Sequence, residues 1–456
     1  MINFLADDQR NTSNELWNNG SDYLSFMYPI LVLCGVLVTI IASAIQLKIR
    51  KIPLKEFMNS IYIVIPAGVI GGSIFGKLGT NTPIYKLIFI WEPGLSIFGA
   101  LFAGGAAGFV WFWYQRHHTR ISIWVYADCI VPNILLGQAI GRWGNLFNHE
   151  ILGRQTDISK FQWLPEWIWM RLFYFVDPST GQKLSSLGYN EPLFLFESIA
   201  TLMTWFFITF FIANLGKIIS KKPWNVNPLA FPCKKWVLKN SLQDFDNTYQ
   251  NIIYKVNDNG EYKLSKRQAW LKAYFVYQAD SQEVKSAQSI IDNHKRSYLQ
   301  ALDKYKGIKL KRDNEINVIK KEMFKKRLSK KEFILRKKNL KKDYWKILKE
   351  LRWKKSKVLN FLTLNSQELY NINNKDKYCV IHSGVLCSTY VIFYSIIRFI
   401  LDTSRTTYEL SFKWNPVMNY LSLTGILILG FIMLICAQFI APKKWREEGW
   451  LYEKSY

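Results

Sequence analysis

Three short stretches of this 456-residue chain concentrate side chains that are costly to bury and suited to holding an anion. The densest is Gly141-Arg-Trp-Gly-Asn-Leu-Phe-Asn-His-Glu150-Ile-Leu-Gly-Arg154, preceded by Asp128 and Gln138. The second is Glu191-Pro-Leu-Phe-Leu-Phe-Glu197-Ser, and the third is Tyr394-Ser-Ile-Ile-Arg398-Phe-Ile-Leu-Asp402-Thr-Ser-Arg405. On a helix, Tyr394, Arg398, Asp402 and Arg405 share one face. With Arg142 they bring three guanidiniums and several carboxylates to one place. Guanidiniums stay charged and grip a phosphate oxyanion through forked hydrogen bonds. The same arginines can equally pair with Glu150, Glu197 and Asp402 simply to hold helices together, and residue chemistry alone leaves both readings open.

The elements that must position these groups are apolar spans. Stretches 24–47, 193–215 and 421–439 are long and hydrophobic enough to cross a bilayer. Stretches 57–75, 95–114, 122–140 and 384–401 are richer in glycine or carry isolated polar residues, which suits a packed bundle. The expectation is an all-α polytopic membrane protein with seven transmembrane helices. Mean hydropathy is only −0.02 because the chain combines two materials. Of the formal charge of +26, roughly +23 falls in 216–383, and the remainder is nearly neutral and very apolar. A single soluble domain is excluded.

Lysine and arginine follow the first, third, fifth and seventh spans, whereas the N-terminus and intervening loops are neutral or acidic. That asymmetry predicts an external N-terminus and a cytoplasmic C-terminus, with loops 76–94, 141–191 and 402–419 outside. The three polar stretches then meet near the outer membrane surface. The first 23 residues lack a basic region and do not read as a cleaved signal peptide. Six cysteines without CxxC spacing read as free thiols, and no metal-ligand pattern occurs. Loop 141–191 is rich in Trp, Phe and Tyr, fitting either the headgroup layer or a lid over the bundle.

Segment 216–383 reads as a basic, helical cytoplasmic insertion between two parts of a transmembrane core, 1–215 and 384–456. From about 285 to 362 its apolar spacing predicts long helices, in one reading a hairpin. Three accounts of its charge stand side by side: a solvated surface, attraction to anionic lipid, or contact with RNA or another cytoplasmic polyanion. No nucleic-acid-binding motif is present.

The pattern Gly141-Arg-x-Gly-Asn-x-x-Asn-x-Glu150-x-x-Gly153 resembles the hallmark motif of the prolipoprotein diacylglyceryl transferase family. Further resemblances occur in the family's order: Ile90-Trp-Glu-Pro-Gly-Leu-Ser-Ile-Phe-Gly99, Asp128 with Pro132, Pro192-x-x-Leu-x-Glu197-Ser, and Tyr394-Ser-Ile-x-Arg398-Phe-x-x-Asp402. The resemblance covers about 1–215 and 384–456 and says nothing about the insertion. It implies transfer of the diacylglyceryl group of phosphatidylglycerol to a prolipoprotein lipobox cysteine, forming a thioether and releasing glycerol phosphate, at the outer leaflet of the plasma membrane without a cofactor or metal. It further implies that Arg142 and Arg398 hold the phosphate. Gly144, Asn145, Asn148, Glu150 and Arg405 would shape the headgroup pocket, Glu197 and Asp402 would orient the arginines beside it, and Tyr394 would donate a hydrogen bond nearby.

The chain departs from the family's pattern in places. Phe98 stands where many members carry a histidine, Glu191 precedes Pro192 in place of histidine, and Asp402 replaces a glutamate. Glu150 and His149 are therefore the candidates for the base. The competing expectation is a membrane scaffold with a decayed core whose cytoplasmic helices recruit a partner. A transporter is disfavoured because the halves show no repeat symmetry.

Overall fold

The computed structural model describes residues 27–50, 52–77, 83–88, 97–147, 153–169, 172–176, 183–228, 231–233, 237–238, 255–256, 261–266, 269–270, 282–325, 328–374, 377–405, 410, 416–447 and 450–452. Among them six helical segments are long and apolar enough to cross a membrane. They are α1 (Met27–Ile49), α2 (Lys55–Lys77), α4 (Ile123–Phe147), α5 (Leu193–Val226), α10 (Val385–Asp402) and α11 (Pro416–Lys444). The remaining expected span coincides with α3 (Ile97–Thr119), a 23-residue helix packed along α2 that is not among the six.

Small residues set how closely the helices approach. A Cβ built on Gly137 of α4 would lie 2.4 Å from Thr39 Oγ1 and 2.8 Å from the carbonyl oxygen of Gly35 on α1. A Cβ on Gly99 of α3 would lie 2.5 Å from the Gly71 carbonyl oxygen on α2. Lipid offers little hydrophobic drive for helix association, so close backbone contact of this kind carries the packing.

The helices differ sharply in burial. Of the 18 residues of α10, 13 are buried; of the 23 in α1, only Gly35, Ser43 and Leu47 are. Ile30, Leu33, Ile41 and Ile45 of α1 and Leu421, Ile428 and Phe439 of α11 point outward. An apolar exterior around a polar, buried central helix is the pattern that lipid solvent demands.

Two breaks shape the bundle. Pro132 sits in a 3-10 turn, Val131–Asn133, that interrupts α4. There Asn133 Nδ2 donates to the Cys129 carbonyl (2.7 Å) and to Ser43 Oγ (3.3 Å), while Trp205 Nε1 donates to Asn133 Oδ1 (2.9 Å). One asparagine so joins α1, α4 and α5. The helix of α5 runs past the span end expected at 215, through a π-turn at Phe207–Phe211, to Ile219.

Among the described residues, two small antiparallel sheets occur that apolar periodicity did not single out. The first, in the loop between α4 and α5, contains β1 (Gln155–Thr156), β2 (Phe173–Val176) and β3 (Lys183–Asn190) in the order β1-β3-β2. The second, after α5, contains β4 (Val237–Leu238), β5 (Lys255–Val256) and β6 (Glu261–Lys263) in the order β4-β6-β5. The aromatic loop also packs inward: Leu164, Ile168 and Leu172 are buried with Leu146 and Phe194, while Trp163 and Trp167 stay exposed.

Two long helices form a hairpin between residues 282 and 354. Helix α6 (Gln282–Phe324) packs against α7 (Lys330–Lys354), and α8 (Lys357–Thr363) and α9 (Gln367–Asn373) follow. Tyr344 donates to Glu315 Oε1 (2.7 Å) and Lys355 Nζ lies 3.3 Å from the Tyr305 ring centre, so the two helices run antiparallel. A capping box starts α7. The Glu332 N–H donates to Ser329 Oγ (3.2 Å), and the Ser329 N–H to Glu332 Oε2 (3.1 Å).

The hairpin is tied to the bundle through the C-terminal tail. Phe361 stacks on Trp445 at 4.3 Å, the Ser366 N–H donates to the Lys443 carbonyl, and Val284, Ala287 and Ile291 share a core with Leu369 and Tyr452. Leu451 in turn bonds to the α3–α4 connection, accepting from the Ser122 N–H and donating to the Arg120 carbonyl.

The glycine crossing generates a prediction. Gly137→Leu should force α1 away from α4 and lower stability by about 1–3 kcal/mol, the usual cost of overpacking. Thermal unfolding in detergent should show a reduced Tm, with Gly141→Leu, where a Cβ would meet nothing within 4 Å, as the milder control.

Candidate active site

At one end of the bundle a single carboxylate gathers three arginines. Glu197, in the first turns of α5, has no exposed surface. Its Oε1 lies 2.8 Å from Arg142 Nη2 and 3.7 Å from Arg398 Nη1, and its Oε2 lies 2.7 Å from Arg405 Nη2. Asp402, 1% exposed, forms the second centre, 3.1 Å from Arg398 Nη2 and 3.4 Å from Arg405 Nε. Among the described residues, three guanidiniums thus surround two carboxylates. A buried carboxylate is tolerable only when opposite charge replaces its lost water, and this one has three such neighbours.

The local sequence explains how each group arrives. Arg142 lies near the end of α4, and Arg398 and Asp402 stand one turn apart on α10. Arg405 follows the end of α10, where the chain leaves the helix through Thr403 and Ser404. Asn419 on α11 donates through Nδ2 to Asp402 Oδ2 at 2.9 Å, and the Tyr420 hydroxyl donates to the Asp402 carbonyl at 3.1 Å. The Asn419 contact leaves Oδ1 of Asp402 to the arginines, while the Tyr420 contact holds its backbone.

The remaining expected residues divide into four groups. Asn145, three residues after Arg142 on α4, is 3% exposed, and its Nδ2 donor has no hydrogen-bond partner among the described residues. Tyr394 is buried one turn before Arg398 and stacks on Tyr390, with ring centres 5.7 Å apart and planes within 2°. Gly144 and Gly153 serve close approaches. A Cβ on Gly144 would lie 2.9 Å from the Tyr28 ring, and one on Gly153 would lie 2.8 Å from Glu191 Cβ and 3.0 Å from its carbonyl oxygen. The Gly153 N–H donates to the Glu191 carbonyl while the Glu191 N–H donates to the Arg154 carbonyl, which closes the base of the loop. Asn148, His149 and Glu150, with the side chain of Phe98, lie outside the described residues.

Asp128 is not part of this cluster. It sits at the opposite end of the bundle, where Oδ2 accepts the Gly384 N–H (2.8 Å) and Oδ1 the Cys387 N–H (2.9 Å). Its task is to cap α10 from another helix. The orphan donors of a helix N-terminus favour a carboxylate, and Gly384, at φ +98°, has a left-handed conformation that suits glycine.

Two participants escaped the sequence reading. Asn419 was visible only as a polar residue just ahead of the last apolar run, a signal that intramembrane polarity rules would have flagged. Arg154 was noted only as the end of the motif; its Nη2 donates to the Thr403 carbonyl at 2.6 Å, so it holds the end of α10. Nothing in its local sequence points to a partner 249 positions away.

Charge at this site sets a stability prediction. Glu197→Gln would leave the three arginines facing one carboxylate and should destabilise the fold by about 3–5 kcal/mol, the usual cost of breaking a buried pair. Asp128→Ala should cost about 1–2 kcal/mol through lost capping. Detergent-phase thermal unfolding of both variants measures the order, and a larger loss from Asp128→Ala would contradict it.

Residues 25–226 match the family model described as prolipoprotein diacylglyceryl transferase. Similar curated proteins bear the name phosphatidylglycerol--prolipoprotein diacylglyceryl transferase. One from Ureaplasma parvum serovar 3 is 30% identical over 221 residues, 44% of this chain and 64% of its own length. One from Mycoplasmopsis pulmonis is 30% identical over 194 residues, 41% of this chain and 59% of its own. One from Trichormus variabilis is 32% identical over 194 residues, 41% of this chain and 64% of its own. The chain therefore spans a little under two thirds of the length of the relatives it matches. The matched stretch carries Arg142, Asn145 and Glu197, and the fold adds Arg398, Asp402 and Arg405 from beyond it. The likeness to the prolipoprotein diacylglyceryl transferase family thus extends over residues 25–226.

Proposed function

We propose that this chain transfers the diacylglyceryl group of phosphatidylglycerol to the lipobox cysteine of a prolipoprotein, releasing glycerol phosphate. The observation that carries the reading is the buried cluster of Arg142, Arg398 and Arg405 around Glu197 and Asp402. Among the described residues it holds one positive charge in excess, which matches the single negative charge of a phosphodiester. The unpartnered Nδ2 of Asn145 offers a further donor in the same region. That the relatives bear the name of this activity supports the same substrate class.

The chemistry required is displacement at carbon. The cysteine sulfur attacks the glycerol carbon of the diacylglyceryl group, a C–S bond forms, and the C–O bond to phosphate breaks with its electron pair. A free thiol is only a few per cent ionised at neutral pH, so a base must accept its proton. Glu150 and His149 are the candidates, since Phe98 stands where many members carry a histidine. The departing glycerol phosphate gains charge as the bond breaks, and fixed guanidiniums at low dielectric stabilise that charge more strongly than water would. Arg142 and Arg398 take that role in this proposal. Glu197, Asp402 and Arg405 keep the two aimed, Asn148 and Gly144 shape the pocket wall, and Tyr394 donates nearby.

The proposal extends to placement. Seven spans with an outer N-terminus and inner C-terminus would set the site in the outer leaflet of the plasma membrane, where phosphatidylglycerol and an exported precursor both reach it. Segments 1–215 and 384–456 form the transferase core, and 216–383 is an insertion on the cytoplasmic side.

Purified protein supplied with phosphatidylglycerol labelled in its headgroup glycerol and a lipobox peptide should release glycerol phosphate. Release should vanish with a Cys→Ala peptide and fall at least about a hundredfold in Arg142→Ala or Arg398→Ala, as for loss of an oxyanion-stabilising donor. No release from folded, lipid-supplied protein would overturn the proposal in favour of a scaffold. Removing residues 282–354 should leave turnover largely intact, because the hairpin meets the bundle through the C-terminal tail, at the end away from Arg142.

A further inference from the structure

Helix α7 has two working faces, and only one is used inside the fold. Phe333, Leu340, Tyr344, Leu348 and Leu351 recur at helical spacing on the face toward α6, and the last two are buried. Roughly a third of a turn away lies a second stripe: Ile334, Leu335 and Trp345, which are 57%, 59% and 56% exposed. Lys331, Lys338, Lys342 and Lys349 share that stripe and are all exposed. Lys349 Nζ sits 4.6 Å from the centre of the Trp345 ring.

The acidic residues of α7 avoid this face. Glu332, Asp343 and Glu350 fall together on another side of the helix, where Glu332 closes the capping box and Glu350 pairs with Lys354 at 3.4 Å. A simply solvated helix surface mixes both signs of charge and has no reason to display tryptophan and two aliphatic residues together. A nucleic-acid-binding face would use lysines on phosphates and leave Ile334 and Leu335 without a role. Apolar residues flanked by lysines on one face are what the headgroup–acyl boundary of an anionic membrane selects, with tryptophan suited to that depth.

The end of a span-length apolar helix also lies close by. The end of α7 leads directly into α8, whose Phe361 stacks on Trp445 just beyond the last residue of α11. Trp345 precedes Lys354 by about 14 Å of helix at 1.5 Å per residue. The stripe therefore starts within a few turns of where a membrane-spanning segment ends.

We propose that the Ile334–Leu335–Trp345 face of α7, with its four lysines, docks on an anionic lipid surface and lays the hairpin along the membrane. The inference rests on the spans crossing a bilayer and not on transferase activity, so a chain inactive in transfer would still show it.

The test is lysine footprinting by acetylation and mass spectrometry on the full chain in nanodiscs. One set contains phosphatidylcholine alone and the other phosphatidylcholine with phosphatidylserine, an anionic lipid that is not the proposed substrate. Lys331, Lys338, Lys342 and Lys349 should become roughly fivefold or more less reactive in the anionic discs, with the protection reversed by high salt. Lys306 and Lys321, exposed on the outer side of α6, should change little. The variant Ile334→Ser/Leu335→Ser/Trp345→Ser should lose the protection while retaining helix content by circular dichroism. If that variant unfolds, the wild-type comparison still decides. Equal reactivity in both discs, or protection that appears only on adding nucleic acid or soluble protein, would overturn the proposal.

Discussion

A carboxylate with no exposed surface, set in a bundle meant for lipid, needs positive charge on more than one side, and Glu197 draws it from three directions. Arg142 comes from α4, Arg398 from α10 and Arg405 from the turn beyond α10, so one side chain on α5 binds three segments of chain at once. The cost of desolvating any of these ions alone would exceed what a helix contact returns. Together they hold each other in place, and the same demand that makes them a structural lock keeps an arginine-rich, low-dielectric site at that end of the bundle.

Helix α10 transmits this arrangement through the bundle. Asp128 holds its beginning from α4, and Arg154 with Asn419 and Tyr420 holds its end. A helix gripped at both ends has little freedom to slide or rotate, which keeps Tyr394, Arg398 and Asp402 in register with Arg142. Asp402 fits this frame: its short side chain reaches Arg398 on its own helix, and Asn419 takes its other oxygen.

The basic helices from 282 to 373 are joined to this frame by a different kind of contact. Stacked aromatics, a small apolar core and backbone hydrogen bonds couple α6, α8 and α9 to the C-terminal tail, and Leu451 couples the tail to the α3–α4 connection. Their hairpin was readable because a run without proline, carrying apolar residues at helical intervals, has few other options. The docking was not readable, since Phe361, Trp445 and Leu451 carry no pattern that pairs them.

Length, hydropathy and spacing are local properties, so sequence alone was enough for the membrane-spanning character, for the long helices between 282 and 354 and for the choice of motif residues. It also put Arg398 and Asp402 on one side of one segment, since helix periodicity requires it, whereas Arg405, expected on the same helical face, lies past the helix end and reaches Glu197 from the turn that follows. Tertiary structure alone decided that Glu197 is the shared partner of three arginines, that Asp128 serves as a cap at the far end, and that Asn419 and Arg154 complete the site. Each of those depends on which buried charge or orphan backbone donor meets which partner across more than a hundred residues of chain or between separate helices. That choice is settled by packing geometry and desolvation, which no local window of sequence contains.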